Sequence, residues 1–320
     1  MSVEVLRAGL ATTLQDRGRD GCAALGVGRA GPMDAVAHRL ANALAGNDAD
    51  AAALEITLAG PRLLFHTDAT VALAGADFAA TLDGVAVAAW RPLAIDAGAV
   101  LDIRTARRGA RATLAVAGGF ACERVLGSAA TDLNARLGPL HGRALKAGDR
   151  LPVIAPGASA ARVRRWSLDP RPWFDPDPER ALHLIRGSHF DALDAGSRER
   201  LFAGAFRIGA DSNRVGMRLE GTPLALVRPL ETVSEPVAAG TVQLPPGGQP
   251  IVLAAEHPTC GGYPRIGQVA AIDLPRLAQR RPGDPLRFRE ITLDEAQTRY
   301  LRRERELARL LDAIAKRLGE

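Results

Sequence analysis

Short apolar segments separated by turn residues run through the first half of this chain and constrain its fold most. Between residues 54 and 153 they recur at the spacing of about 8–12 residues that is typical of β-sandwiches and β-barrels. Alternating strand–helix units are not indicated. The predicted segments include Thr70–Ala74, Phe78–Leu82, Val85–Ala88, Val100–Ile103 and Ala112–Ala117.

The second half of the chain repeats this character after a proline-rich stretch at residues 155–180, which is typical of a linker or an extended crossover. It contains a predicted hairpin, in which Thr241–Leu244 and Pro250–Ala255 flank the turn residues 245–248. A strand is predicted at 269–274. We therefore predict a mainly β fold with a few helices. Its predicted parts are a first β-barrel subdomain at 1–160, a second at 181–291 and an amphipathic C-terminal helix at 292–320.

Helical periodicity predicts a first helix at 32–46, with Pro32 in its first turn and Asp34 at its positive end. Before it, residues 9–31 form a long glycine-rich segment, in which residues 17–21 are predicted to be loop. A further helix is predicted at 190–201. At the C-terminal helix, Thr292 and Glu295 match a capping box.

Composition argues against several classes of function. All but two of the 41 basic residues are arginine, they are spread out, and aromatic residues make up only 4%, so nucleic-acid binding is not expected. The three cysteines are far apart, and the histidines lack metal-ligand spacing, so we expect neither a disulfide framework nor a metal site. We expect no signal peptide, no membrane span and a cytoplasmic location.

Two motifs invite a functional interpretation. Residues 26–31 match GxGxxG, but the residues before them do not form a clear strand, so we do not expect a dinucleotide site. Cys260 is a candidate nucleophile with Glu256 or His257 as its base. The alternative, which we favour, is a semi-buried thiol in a turn.

Residues 256–265 form the loop richest in polar chemistry, because they combine an acid, an imidazole, a thiol, a phenol and a guanidinium with two glycines. In the first half, Asp16, Asp34 and Glu55 are candidates for a convergent acid set. Their alternative roles are a turn, a helix N-terminus and a strand end.

Taken in order, these segments resemble one family. The motifs that carry the resemblance are 13–19 (TLQDRGR), 31–34 (GPMD), 40–42, 53–57 (ALEIT), 117–119, 126–128, 131–132, 143–149, 212–216 (SNRVG), 218–221, 240–243 (GTVQ) and 261–264 (GGYP). The chain resembles the C subunits of 5-oxoprolinases, also called KipA-like, allophanate hydrolase subunit 2 or biotin-dependent carboxyltransferase-like proteins.

The resemblance implies two cyclophilin-like β-barrel subdomains and a small-molecule amide substrate. It implies a KipI-like protein and a LamB/YcsF-like protein as partner subunits, and ATP-dependent hydrolysis of 5-oxoproline to glutamate in the complex. No cofactor is expected on this chain alone, and ATP belongs to the complex. Biotin is expected under an alternative, a carboxyltransferase acting on urea or a related amide. A third alternative is a non-catalytic partner of a KipI-like regulator.

On this basis we predict two groups of site residues. Carboxylates that orient or deprotonate water are predicted to be catalytic, and polar, glycine and aromatic residues are predicted to bind substrate. The catalytic set is Asp16, Asp34, Glu55 and Glu256, and the binding set is Gln15, Asn213, Arg214, Gln243, Thr259, Gly261, Gly262 and Tyr263. The family usually carries Asp-x-Gln-Thr-Thr where this chain has residues 256–260. We therefore expect this segment to be where the chain departs from the substrate of its family. Cys260 stands where threonine is usual.

Overall fold

The computed structural model describes residues 1–155, 166–230 and 232–319. The predicted boundary at residue 160 and the predicted helix end at residue 320 lie outside these residues. The chain divides into two compact units. Unit 1 comprises Met1–Arg19, Ala30–Pro176 and Leu307–Glu320, and unit 2 comprises Asp20–Arg29 and Asp177–Glu306.

Unit 1 is built on a nine-stranded sheet. The strands are β1 Ser2–Arg7, β2 Ala11–Gln15, β3 Ala53–Thr57, β4 Arg62–Phe65, β5 Ala69–Leu82, β6 Val85–Ala86, β7 Pro92–Ile95, β8 Val100–Val116 and β9 Arg150–Pro152. In the sheet, neighbouring strands follow the order β2-β3-β8-β4-β1-β9, and β5 pairs with β8, β7 and β6. All of these pairings are antiparallel.

Two long strands replace four of the short ones that were predicted. The predicted breaks are β-bulges rather than turns: β5 runs through Gly75, where φ is +110° and the register with β8 shifts. An added Cβ at Gly75 would lie 2.6 Å from the Arg111 carbonyl oxygen, which explains the glycine. The bends let β8 pair with β4 near residues 100–102 and with β3 near residues 111–114.

The first helix is shorter than predicted. Helix α1 spans Ala35–Leu44, so Pro32 precedes it, because the Asp34 side chain accepts a hydrogen bond from Ala37 N and makes Asp34 the N-cap. The glycine-rich segment at 9–31 contains a strand that was not predicted. The run Ala11–Gln15 pairs with β3 along its whole length, which sequence periodicity alone did not show.

The strands of unit 2 are β10 Leu182–Arg186, β11 Phe206–Ile208, β12 Gly216–Glu220, β13 Glu235–Pro236, β14 Thr241–Gln243, β15 Ile251–Leu253, β16 Cys260–Gly261, β17 Arg265–Val269, β18 Pro285–Leu286 and β19 Phe288–Glu290. Eight of them form one sheet in the order β18-β11-β12-β15-β14-β17-β10-β19. Consecutive strands β18 and β19 lie at opposite ends of this order, so residues 285–290 pair with both edges and close the sheet into a barrel.

The predicted hairpin is present as β14 and β15, whereas β13 and β16 form a separate two-stranded ribbon. The prediction of a strand at 269–274 is wrong, because β17 ends at Val269 and a 3-10 turn follows. Asp273 in that turn accepts hydrogen bonds from the backbone N and the ring of His183. The remaining helices of more than four residues are α2 Ala195–Ala203, which begins after the predicted start at 190, α3 Leu274–Ala278 and α4 Leu293–Gly319.

Helix α4 begins with the predicted capping box, in which Glu295 N donates to Thr292 Oγ1 and Thr292 N donates to Glu295 Oε2. The fold class is confirmed: the protein is mostly β, with two barrel-like sheets and a C-terminal helix. Among the residues that the structure describes, no helix combines the length and apolarity needed to cross a membrane.

Candidate functional site

The predicted site residues divide between the two units. Unit 1 holds Gln15 and Asp16 at the end of β2, Asp34 at the start of α1 and Glu55 on β3. Thr13 lies opposite Glu55 and Gln15 lies opposite Ala53, so the side chains of Gln15 and Glu55 share one face of the sheet. The register therefore brings these two predicted residues together.

Asp16 is buried and its carboxylate is saturated with donors. Oδ1 accepts from Gly18 N at 2.9 Å and from Ser128 Oγ at 2.6 Å, and Oδ2 accepts from Ala129 N at 2.6 Å. Arg124 adds an ion pair at 3.5 Å. Asp16 thus ties the segment after β2 to the loop at 128–129, and its catalytic role stays a prediction.

The other two predicted carboxylates of unit 1 hold the entry to helix α1. Asp34 Oδ1 accepts from Ala37 N at 2.9 Å, and Glu55 Oε2 accepts from Met33 N at 2.6 Å. Both are buried. Asp34 thus has the helix N-terminal role that was its alternative to catalysis, whereas Glu55 lies in the middle of β3 and not at a strand end. Neither bond tests the catalytic prediction.

Gln15 is fully buried and only half satisfied. Its Nε2 donates to Thr13 Oγ1 at 3.0 Å and to Thr131 O at 2.9 Å. The carbonyl acceptor of Thr131 sets the orientation of the amide, so Oε1 points the other way. Within the described part of the chain, Gln15 Oε1 and Thr131 Oγ1 have no hydrogen-bond partner.

A buried histidine on α1, His38, was not among the predicted site residues. Burial lowers its pKa from 6.5 to about 4; the Asp16 carboxylate opposes this shift and Arg17 adds to it. Its Nε2 lies 3.1 Å from Asn42 Nδ2, one helical turn further on. The signal available in the sequence was this His–Asn pair at i, i+4 on a helix face that is otherwise apolar.

In unit 2, Arg214 and Glu256 form a buried ion pair. Arg214 Nε donates to Glu256 Oε1 at 2.5 Å, and the backbone N of Glu256 donates to Arg214 O at 2.8 Å. Next to them, Asn213 Oδ1 accepts from Val215 N at 2.8 Å and closes a local turn. The predicted residues Asn213, Arg214 and Glu256 are therefore brought together.

Gln243 lies on β14 and is buried, and among the described residues its Nε2 has no hydrogen-bond partner. Gly261 of the β13–β16 ribbon lies against this amide, since a Cβ at Gly261 would be 2.3 Å from Gln243 Nε2. The structure thus joins two more predicted residues. The amide of Gln243 is therefore a buried N–H donor close to the backbone of Gly261. A buried donor without a partner is a candidate to bind a ligand oxygen.

The rest of the 256–265 loop is more exposed. The Thr259 carbonyl accepts from Val237 N at 3.1 Å, and the Gly262 carbonyl accepts from the Thr232 hydroxyl. Tyr263 is 46% exposed. These bonds hold the β13–β16 ribbon in place while the Tyr263 ring faces solvent.

Cys260 is exposed on β16, and its two candidate bases are engaged elsewhere. Glu256 binds Arg214, and His257 Nδ1 lies 2.7 Å from the carbonyl oxygen of Pro258. The nucleophile interpretation thus lacks a free base, and the semi-buried turn thiol is also wrong, since Cys260 is exposed and lies in a strand. The GxGxxG match at 26–31 follows a 3-10 helix at Ala23–Leu25 rather than a strand, so it lacks the context of a dinucleotide site.

Comparison with known proteins identifies the family. The model described as "Carboxyltransferase domain, subdomain A and B" matches residues 25–290. The chain is 38% identical to the C subunit of 5-oxoprolinase from Escherichia coli K12, over 99% of this chain and 98% of that protein. It is 34% identical to that of Haemophilus influenzae, over 99% of each.

Larger proteins match over part of their length. The urea amidolyase of Lachancea kluyveri is 31% identical over 92% of this chain and 17% of its own length. The crystal structure of Kluyveromyces lactis urea carboxylase superposes with a TM-score of 0.88 at 29% identity, covering 98% of this chain and 29% of that one. The chain therefore belongs to the carboxyltransferase-domain family and is homologous to the C subunit of 5-oxoprolinase and to domains of urea amidolyase and urea carboxylase.

Proposed function

We propose that this protein is part of an ATP-dependent 5-oxoprolinase that hydrolyses 5-oxoproline to glutamate, together with a KipI-like and a LamB/YcsF-like subunit. The observation that carries the proposal is the extent of the match. The chain aligns with 98% of the C subunit of Escherichia coli 5-oxoprolinase, but with only 17% of a urea amidolyase.

The chemistry requires activation because a lactam is a poor electrophile. ATP supplies it by phosphorylating the lactam oxygen, after which water attacks the ring carbon, the C–N bond breaks and phosphate leaves. A chain of this kind contributes binding and orientation. The proposal assigns activity to the complex and substrate contacts to this chain.

The donor set of unit 2 supports such contacts. The buried Gln243 N–H suits a carbonyl or carboxylate oxygen, and Tyr263 offers an exposed hydroxyl. Arg214 is proposed to meet an anionic group, which would extend its ion pair with Glu256. Glu256 is proposed to orient water. The catalytic roles predicted for Asp16, Asp34 and Glu55 of unit 1 are separate proposals.

Reconstitution tests the proposal. The three proteins of the complex are co-expressed, and glutamate is measured with 5-oxoproline and ATP, each omitted in turn. We expect release that needs both substrates and that falls with Gln243→Ala. Gln297→Ala, an exposed glutamine on α4, is the matched control. No glutamate release with all three proteins present would contradict the proposal.

A second candidate is a biotin-dependent carboxyltransferase acting on urea or a related amide. The name of the family model and the superposition on urea carboxylase favour it. The unpartnered Gln243 N–H also fits the ureido oxygen of biotin. Discharge of carboxybiotin by urea would support this function, and no discharge by any amide would exclude it.

A third candidate is a non-catalytic partner of a KipI-like regulator. It is supported instead if Gln243→Ala and Tyr263→Ala both leave partner affinity and biological effect intact.

A further inference from the structure

Two amide side chains, those of Asn47 and Asn42, connect the backbone of unit 1 to His38 through hydrogen bonds. The connection starts at Asn47, whose Oδ1 accepts from Gly118 N at 2.7 Å and whose Nδ2 donates to Val116 O at 2.8 Å. One backbone donor and one backbone acceptor thereby determine which way the Asn47 amide faces.

Asn42 takes its orientation from Asn47. Its Oδ1 accepts from Asn47 Nδ2 at 3.1 Å, so its Nδ2 faces away and donates. One N–H goes to Ala51 O at 3.0 Å, and the other points at His38 Nε2 at 3.1 Å. Because Asn42 Nδ2 is a donor, His38 Nε2 must be the acceptor.

The tautomer of His38 follows from this bond. A neutral imidazole that accepts at Nε2 carries its proton on Nδ1, and full burial keeps the ring neutral. Among the described residues, Nδ1 has no hydrogen-bond partner. The network therefore presents a buried N–H donor that lacks an acceptor, where buried polar groups are normally paired.

The unpartnered acceptor Gln15 Oε1 lies on the face of the sheet that packs against α1. Gln15 is opposite Ala53 on β3, and Ala53 packs in one cluster with Leu40 and Leu44 of α1. Gln15 therefore faces α1, the helix that carries His38. Gln15 Oε1 is thus a buried acceptor on the side of the sheet where His38 offers a buried donor.

We propose that His38 is a substrate-binding residue whose Nδ1–H donates to the carbonyl oxygen of an amide or lactam, while Gln15 Oε1 accepts the N–H of the same group. Asn42 and Asn47 are positioning residues, since they act through the tautomer of His38. A neutral histidine donor polarises a carbonyl without giving up a proton. The proposal rests on the proposed function only for the choice of a lactam as the ligand.

The direct test observes the ring nitrogens of His38. The chain is labelled with ¹⁵N-histidine in the reconstituted complex, the His38 signals are assigned by their loss in His38→Gln, and 5-oxoproline, urea and proline are titrated. We expect a neutral ring protonated at Nδ1 that responds to 5-oxoproline or urea. Proline, which lacks the amide carbonyl, should have no effect.

A ring protonated at Nε2, or a signal indifferent to saturating 5-oxoproline and urea because water fills the position, would overturn the proposal. Glutamate release without a response of His38 overturns this inference and leaves the proposed function standing. A response of His38 to 5-oxoproline without glutamate release supports this inference and contradicts the proposed function.

A matched pair of variants gives a second readout. His38→Asn keeps an amide donor near the Nδ1 position, whereas His38→Gln reaches Asn42 but loses that donor. We expect His38→Gln to raise the KM for 5-oxoproline about tenfold, the effect of losing one hydrogen bond, and His38→Asn to raise it less. Equal KM values for the wild type and His38→Gln would contradict the proposal.

Discussion

His38 shows how burial sets a charge state at the scale of one residue. An unpaired buried donor costs a protein about 1–3 kcal/mol of stability, so a position that retains one calls for a function. The neutral ring also makes folding sensitive to acid. The unfolded chain binds a proton at His38 below pH 6.5, and the folded chain does so only below about pH 4.

We therefore expect His38 to reduce the free energy of unfolding as the pH falls from 6.5 to 4, because the unfolded state binds more protons in that window. The shift corresponds to about 3 kcal/mol at full effect. Guanidinium chloride denaturation of the wild type and His38→Gln at pH 7 and pH 4.5 measures it. The wild type should lose more stability than the variant, and parallel losses would contradict the expectation.

Asp34 allows its structural and catalytic roles to be separated. Asp34→Ala removes the N-cap of α1 and should lower the free energy of unfolding by about 1 kcal/mol, while Asp34→Asn should cap almost as well. Chemical denaturation checks this order. If Asp34→Asn keeps stability but abolishes glutamate release by the complex, the predicted catalytic role holds. Unchanged release would leave Asp34 as a helix cap.

At the scale of an element, the β13–β16 ribbon covers the Gln243 amide. Two residues pair on each strand, and an ion pair between Arg265 and Glu235 ties the ribbon to β17. Gly261 is the point of closest approach to Gln243. The ribbon therefore positions the donor that we propose for the substrate.

Gly261→Ala should displace this amide, because its Cβ would lie 2.3 Å from Gln243 Nε2. We expect kcat/KM for glutamate release to fall about tenfold, equivalent to ~1.4 kcal/mol of transition-state stabilisation. Gly247→Ala, in the turn between β14 and β15, is the control, since a Cβ there would meet nothing within 4 Å. Adding Gly261→Ala to Gln243→Ala should cost nothing further, and additive losses would argue against coupling through Gln243.

At the scale of the whole molecule, helix α4 contributes side chains to two hydrophobic clusters. Ala296 packs with Ala270 and Ile291 of unit 2, and Leu307 and Ile314 join the cluster of unit 1 that contains Leu40. Residues 293–306 belong to unit 2, and the residues from 307 onward belong to unit 1. The helix is thus part of both folded units.

Leu307→Ala should lower the free energy of unfolding by about 2–5 kcal/mol, the usual cost of a large-to-small change at a fully buried leucine. Leu301→Ala, on the same helix and 53% exposed, should change it by less than about 0.5 kcal/mol. Denaturant unfolding of both variants provides the comparison. Similar stabilities would mean that the end of the helix does not contribute to the core of unit 1.

Local signals were enough for several elements. Turn residues and β-branched runs predicted the β14–β15 hairpin and the β fold, and Thr292 with Glu295 predicted the start of α4. They did not show that Gly75 is a bulge inside one strand, or that Ala11–Gln15 is a strand. Those outcomes depend on partners from distant parts of the chain, which periodicity does not report.

The sequence by itself determined the family, the mostly β class and the residue types available for binding, because motifs, turn chemistry and composition are local properties. Tertiary structure decided which of those residues meet. It engaged Asp16 and Asp34 in backbone hydrogen bonds, paired Arg214 with Glu256, and left the amides of Gln15 and Gln243 buried and incompletely paired. It also selected His38, since a tautomer and an unpartnered N–H arise only when Asn47, Asn42 and the backbone of residues 116–118 come together in space.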